Sequence, residues 1–300
     1  MRINASPYLL LVLSTLFWAG NFVLGRAVKS VIPPIGLAFW RWAAALVLLL
    51  PFAFPHLRKD WPLLRGCWRS LTLFAILGVS CFNTFVYIGL HSTTAVNALL
   101  VNSVIPVLIV VLSRIMAYVP ITRQQAVGVI LSLAGVVTII CRADAGLLLS
   151  LQLNRGDGWV LLAVVSWALY TFMLRKRPAF LHPFSFLTAI MIIGLLALSP
   201  FYAWETVQGR RVGTDLATWG SILYVALFPS VAAFIFWNQA VGEVGPARAG
   251  LFLHLMPVFG AILSFIFLGE ALHPYHLAGM VLIFSGISLA TDRKSSLRTD

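Results

Sequence analysis

Three hundred residues, 60% of them apolar and only 10% charged, with a mean hydropathy of +0.95, exclude an ordinary soluble domain, which carries roughly 25% charge. The composition is that of an integral membrane protein. The formal charge of +12 then reads as topology rather than as a nucleic-acid surface, because the basic residues sit in short connections between apolar runs. Cys67, Cys81 and Cys141 are odd in number, lie in different segments and lack ligand spacing. They support neither a disulfide framework nor a metal site.

Mostly apolar runs long enough to cross a bilayer core as helix occur ten times, approximately at 8–28, 33–54, 71–90, 95–118, 123–141, 158–174, 183–203, 217–240, 247–268 and 273–291. The first carries Trp18, Asn21 and Arg26, has no small-residue cleavage site and leads straight into the second, so it is a helix rather than a signal peptide. With the N-terminus inside, thirteen basic residues fall on the inner side: Arg2, Arg58, Lys59, Arg65, Arg69, Arg123, Arg175, Lys176, Arg177, Arg248, Arg293, Lys294 and Arg298. Six fall outside (Arg26, Lys29, Arg142, Arg155, Arg210, Arg211), and Arg41 and Arg114 lie within spans. This bias places both termini in the cytoplasm and the chain in the inner membrane.

The chain also repeats itself. Trp18, Arg26 and Pro34 recur as Trp167, Arg175 and Pro183 at an offset of 149, and Pro106, Ser113, Gly128 and Gly135 recur as Pro257, Ser264, Gly279 and Gly286 at an offset of 151. Each half, 1–147 and 148–300, holds five spans. An odd number makes the halves enter the membrane from opposite sides, an inverted-topology repeat of the kind found in secondary transporters. The expected fold is therefore an all-α integral membrane protein of ten transmembrane helices in two five-helix inverted repeats, N-in and C-in.

At FWAGNFVLGRAV, FWRW, SWALYTFMLRK and LMPVFGAILSFIFLGEALHPYHLAGMVLIFSG the chain resembles the drug/metabolite transporter superfamily, in its ten-helix EamA-type members, and within them the amino-acid exporter branch. The resemblance covers essentially the whole chain. It implies a 5+5 inverted repeat around a central cavity that moves small metabolites, often outward and often amino acids. One departure is visible: the first half has Tyr118-Val119 where the second has the Gly269-Glu270 signature.

Residues whose polarity is expensive in lipid are the site candidates. No Asp or Glu falls inside a predicted span, which argues against a proton-driven exporter of strongly cationic drugs, although a histidine can also relay protons. His254 stands three residues before Pro257, and its repeat mate Ser103 three before Pro106. A proline inside a helix frees the carbonyl four residues earlier, here those of Asn102 and Leu253, and unpaired backbone at membrane depth belongs beside a cavity or another helix. Pro106 and Pro257 are thus candidate hinges, and Asn102, Ser103 and His254 candidate cavity residues. Against this, His254 can simply bond a neighbouring helix and the prolines merely kink.

Trp18 with Asn21 and Trp167 with Tyr170 form a second symmetric pair at i and i+3, each placing an aromatic plate and a polar group on one face. Tyr87, Asn238 and Arg41 complete the candidate cavity set. Asn83, Trp237 and Gln239 lie close to them in sequence, and amides there serve equally as packing glue. Arg41 suits either a substrate carboxylate or helix carbonyls. The glycines at 128, 135, 279 and 286 read as a close-packing seam between the fifth and tenth helices, and Glu270 as a helix cap.

No Asp-rich run, paired His-Asp motif or P-loop supports a membrane-embedded transferase. The expected function is therefore a secondary transporter, not an enzyme, with a cavity walled by helices 1, 3, 4, 6, 8 and 9. It is expected to need no cofactor or metal, to bind no nucleic acid, and to have as partners a small-molecule substrate (an amino acid or similar metabolite) and the lipid bilayer, working as a monomer. A facilitator, or an exporter of other metabolites or drugs, is the alternative.

Overall fold

A backbone that must satisfy its own N–H and C=O groups where there is no water has the helix as its simplest solution. The structure, a computed structural model, describes residues 3–28, 32–152 and 154–291. Arg2, Lys29, Arg293, Lys294 and Arg298 of the orientation count lie outside the described residues. Among the described residues ten helices are long and apolar enough to cross a membrane, and no described residue is in a strand. They are span 1 (Pro7–Leu24), span 2 (Pro34–Gly66), span 3 (Trp68–Leu90), span 4 (Asn97–Ala117) and span 5 (Arg123–Ile140), then span 6 (Arg155–Lys176), span 7 (Pro183–Val207), span 8 (Leu216–Val244), span 9 (Pro246–Phe267) and span 10 (Pro274–Thr291). Ten spans in two sets of five make this a multi-pass membrane protein built as an inverted repeat.

Span 2 is longer than its apolar run, continuing past 54 to Gly66, with Pro51, Pro55 and Pro62 inside the helix. These prolines lie on the exposed side, while Leu49, Ala53, Asp60 and Leu64 keep a buried face packed on the rest of the fold. Packing outweighs the lost hydrogen bonds.

Three carboxylates that the sequence places at span ends are buried, and each is occupied by a helix N-terminus, where the free N–H groups and the dipole favour an anion. Glu205 accepts from the backbone N–H groups of Ile35 (3.2 Å) and Gly36 (2.6 Å) at the start of span 2. Asp60, at the far end of span 2, accepts from His182 N (2.9 Å) at the start of span 7. Asp157 closes a capping box with Asn154 and also accepts from Thr93 Oγ1 and, at 3.1 Å, from Asn97 Nδ2.

The two repeats share their irregularities. Spans 3 and 8 each contain a π-helical stretch, Ala75–Cys81 and Ala226–Ala232, which coincide at the offset of 151. Spans 4 and 9 are each interrupted before their proline, at Ser103-Val104 and at the 3-10 turn Phe252–His254. The Tyr118 departure is conservative in shape. Tyr118 (φ 54°) takes the left-handed position that Gly269 (φ 68°) takes in the second half, and each N–H returns to the equivalent serine carbonyl, Ser113 or Ser264.

Pseudo-symmetry also locates the axis, because a residue and its repeat mate can touch only near it. Trp18 and Trp167 meet edge to face at 5.1 Å, and His254 bonds the carbonyl of its own mate, Ser103. Spans 5 and 10 cross on the same axis through the glycine seam. A Cβ on Gly128 would stand 2.5 Å from the carbonyl oxygen of Gly286, and one on Gly279 2.7 Å from that of Gly135. Only glycine permits this approach.

Candidate functional site

Where the axis passes the two interrupted helices, a small cavity of about 20 Å³ opens between Trp18, Asn21 and Phe22 of span 1, Arg41 of span 2, Phe82 and Asn83 of span 3, Asn102 and Ile105 of span 4, Trp167 of span 6, Phe234 of span 8, and Leu253 and Met256 of span 9. That volume admits about one water. Anything larger would require these side chains or helices to part. Span 2 therefore joins the six helices expected to wall the cavity.

Around the cavity the helices are held by rings. Trp18 packs edge to face on Trp167, Phe234 and Trp237, and Trp167 on Phe234, with centroid separations of 5.1 to 6.1 Å, and Tyr170 stacks on Trp167 at 5.1 Å. The π-helical stretch of span 8 supplies what these rings need. It offers the Pro229 carbonyl to Trp18 Nε1 at 3.0 Å and the Ser230 hydroxyl to Arg41 Nε at 2.9 Å. Such a widened turn carries no periodic mark in sequence, which is why Ser230 escaped the sequence reading.

Arg41 is 1% exposed. Its Nη1 donates to Asn83 Oδ1 at 2.9 Å and to the Tyr87 hydroxyl at 3.1 Å, drawing spans 2, 3 and 8 together. Nη2 donates to no group among the described residues, and no carboxylate among them pairs with the guanidinium. Two other cavity residues have buried acceptors without donors, Asn21 Oδ1 and Asn102 Oδ1. Buried polar atoms are almost always paired, and of the buried side-chain atoms left without a partner among the described residues these two are the ones on residues that line the cavity.

The remaining candidates are placed next to the cavity rather than in its wall. Tyr170 gives its hydroxyl proton to Asn238 Oδ1 at 2.8 Å, tying span 6 to span 8. Gln239 clasps the backbone of Ile3 through both ends of its amide, at 3.0 Å each. His254 is buried at 1% exposure. Its Nε2 lies 3.1 Å from the Ser103 carbonyl oxygen and its Nδ1 2.8 Å from the Ser132 hydroxyl. A carbonyl only accepts, so Nε2 carries the proton, and both ring nitrogens are engaged. His254 is a latch that holds the break of span 9 against the break of span 4 and against span 5. Ser103 supplies its carbonyl to the latch while its own hydroxyl turns back to Leu100 O at 2.6 Å. Ser132 was not foreseen: it lies beside the glycine seam, in a helix that reads as packing alone. Pro106 is buried at the start of the second half of span 4, and Pro257 is half-buried at the equivalent place in span 9.

The EamA-like transporter family is matched twice along the sequence, over residues 5–141 and again over 154–291. The chain belongs to the EamA-like transporter family. This EamA-like chain is 28% identical over 286 residues to the uncharacterized transporter YyaM of Bacillus subtilis, covering 95% of this chain and 93% of that one. It is 26% identical to a probable terminal-alkyne amino-acid exporter of Streptantibioticus cattleyicolor, covering 97% and 95% of the two chains. A solved crystal structure shares the fold with a TM-score of 0.78 at 18% identity, over 95% of this chain and 96% of that one.

Proposed function

We propose that this EamA-like protein is a secondary transporter that exports small amphipathic metabolites, amino acids first among them, across the inner membrane by alternating access, with both termini in the cytoplasm. The observation that carries the reading is the meeting of spans 4 and 9 on the repeat axis, each interrupted at the equivalent place and latched there by His254 and Ser103. Helices broken beside a midplane cavity are the usual binding site of inverted-repeat transporters. The cavity wall joins apolar rings to a few polar groups, which suits an amphipathic solute. The relative described as a probable amino-acid exporter favours amino acids within that class.

A static facilitator is favoured less, because a cavity of about 20 Å³ walled by packed rings is too small for such a solute as it stands. Counterflow in proteoliposomes tests the proposal. Vesicles preloaded with a mixture of unlabelled amino acids should accumulate an external labelled amino acid. If none of the amino acids exchanges, the exporter reading falls. Exchange that ignores an imposed pH gradient would remove proton coupling.

A further inference from the structure

The cavity is chemically lopsided. Among the described residues it contains one buried cation, Arg41, held by three neutral acceptors and by no carboxylate, and two amide oxygens without donors, those of Asn21 and Asn102. No carboxylate of the described chain lines it. A guanidinium is charged in any protein setting and presents a planar fork matched to a carboxylate. Its neighbours Ser230, Asn83 and Tyr87 are neutral acceptors that orient the fork without cancelling the charge. The equivalent position in the second repeat, seven residues after Pro183 as Arg41 is after Pro34, is the buried Ile190. The charge is therefore not part of the duplicated scaffold.

We propose that the substrates are small α-substituted monocarboxylates, with the carboxylate seated on Arg41 and the α-substituent's N–H or O–H protons taken by Asn21 Oδ1 and Asn102 Oδ1. The inference rests on the transport reading for its setting, but it is a statement about binding. The hierarchy of contacts follows from the charges. Losing the carboxylate leaves a buried cation unpaired, the most costly kind of omission. Exchanging an ammonium for a hydroxyl at the α-carbon keeps one donor, which serves one of the two neutral amide oxygens, so it costs far less than losing the carboxylate. An amino acid and its 2-hydroxy analogue belong to one class here, and an amino-acid amide does not. The apolar body packs against the rings of Trp18, Trp167 and Phe234, which ask for bulk rather than for a specific group.

Calorimetric binding to the purified full-length protein separates this from a structural role for Arg41. The probes are leucine, 2-hydroxy-4-methylpentanoate and leucinamide, which share one apolar body. Leucine and the hydroxy acid should bind within about tenfold of each other, and leucinamide at least about a hundredfold more weakly. Arg41→Lys should keep the preference for carboxylate at reduced affinity, whereas Arg41→Gln should shrink it to less than about fivefold. A merely structural arginine would lower all affinities together and leave the ratio unchanged. Leucinamide binding as well as leucine, a ratio unmoved in Arg41→Gln, or no binding of any probe overturns the proposal. Should Arg41→Gln fail to fold, the wild-type ratios and Arg41→Lys still decide. Binding of both acids without counterflow would defeat the transport reading alone. Counterflow of leucine that leucinamide blocks equally well would defeat the carboxylate assignment alone.

Discussion

The two halves of the chain share a frame and differ in what they put into it. Both carry a π-helical stretch, a helix interrupted before a proline and a left-handed helix end at the same repeat positions. Yet the unpaired amide oxygens of the cavity, on Asn21 and Asn102, and its cation, Arg41, all come from the first half, where the second half has Tyr170, Ile190 and Leu253. Tyr170 is bonded to Asn238 and the other two are apolar. Duplication accounts for the shared frame, and the departures from duplication account for the polar side of the cavity.

If the frame is symmetric, equivalent insults to the two halves should cost the same, and the glycine seam gives the largest effect. Gly128→Leu and its repeat mate Gly279→Leu each drive a side chain into backbone, since a Cβ would already stand 2.5 to 2.7 Å from the opposing carbonyl oxygen. Each should cost more than about 3 kcal/mol. Both variants should be lost as monodisperse protein on size-exclusion chromatography in detergent, and a well-folded Gly279→Leu would break the symmetry argument.

The latch is symmetric in position but not in chemistry. His254→Ala removes both its bonds and leaves the Ser103 carbonyl uncovered, for an expected loss of about 2–3 kcal/mol together with impaired transport. Ser103→Ala keeps the carbonyl that the latch uses and should cost about 1 kcal/mol or less. Equal melting temperatures for the two variants would show that the latch does not bear load.

A finer contrast lies between Tyr170 and its mate Asn21. Tyr170→Phe strips the buried Asn238 oxygen of its donor and should cost about 1–2 kcal/mol. Asn21→Ala removes an oxygen that has no partner among the described residues. Its stability should move by less than about 0.5 kcal/mol while substrate affinity falls. Thermal unfolding and binding measured on the same preparations separate the two.

The smallest expected effect is on pH. His182, outside the spans, stacks on His56 at 3.6 Å. Burial, and then the neighbouring His56 ring, hold its pKa below the usual 6.5. A lowered histidine pKa means that the unfolded chain binds the proton more readily. The contribution is complete above pH 6.5 and is lost as pH falls from there toward the folded value. Melting temperature should drop over that window in the wild type and drop less in His182→Gln.

The ten spans, the repeat and the seam were legible because each leaves a regular mark: apolar length, a constant offset, glycines seven apart. The cavity was legible in part. Trp18, Asn21, Arg41, Asn102 and Trp167 were foreseen as polar or aromatic residues deep in spans and do line it. Tyr87, Tyr170, Asn238 and His254 were equally conspicuous, but they are turned to neighbouring helices. Which way a deep polar residue faces depends on helix rotation, which composition does not encode. Ser132 and Ser230 were missed because a serine in an apolar helix is commonplace until a histidine or an arginine is found against it.

Alternating access at this cavity is the central claim, and Asn102 is the place to test it. In a background with Cys67, Cys81 and Cys141 changed to serine, Asn102→Cys would be exposed to a membrane-impermeant thiol reagent from each face of oriented vesicles in turn. The account predicts labelling from both faces, slowed in both cases by a saturating transported substrate. Labelling from one face only, or from both with no protection by substrate, would contradict it.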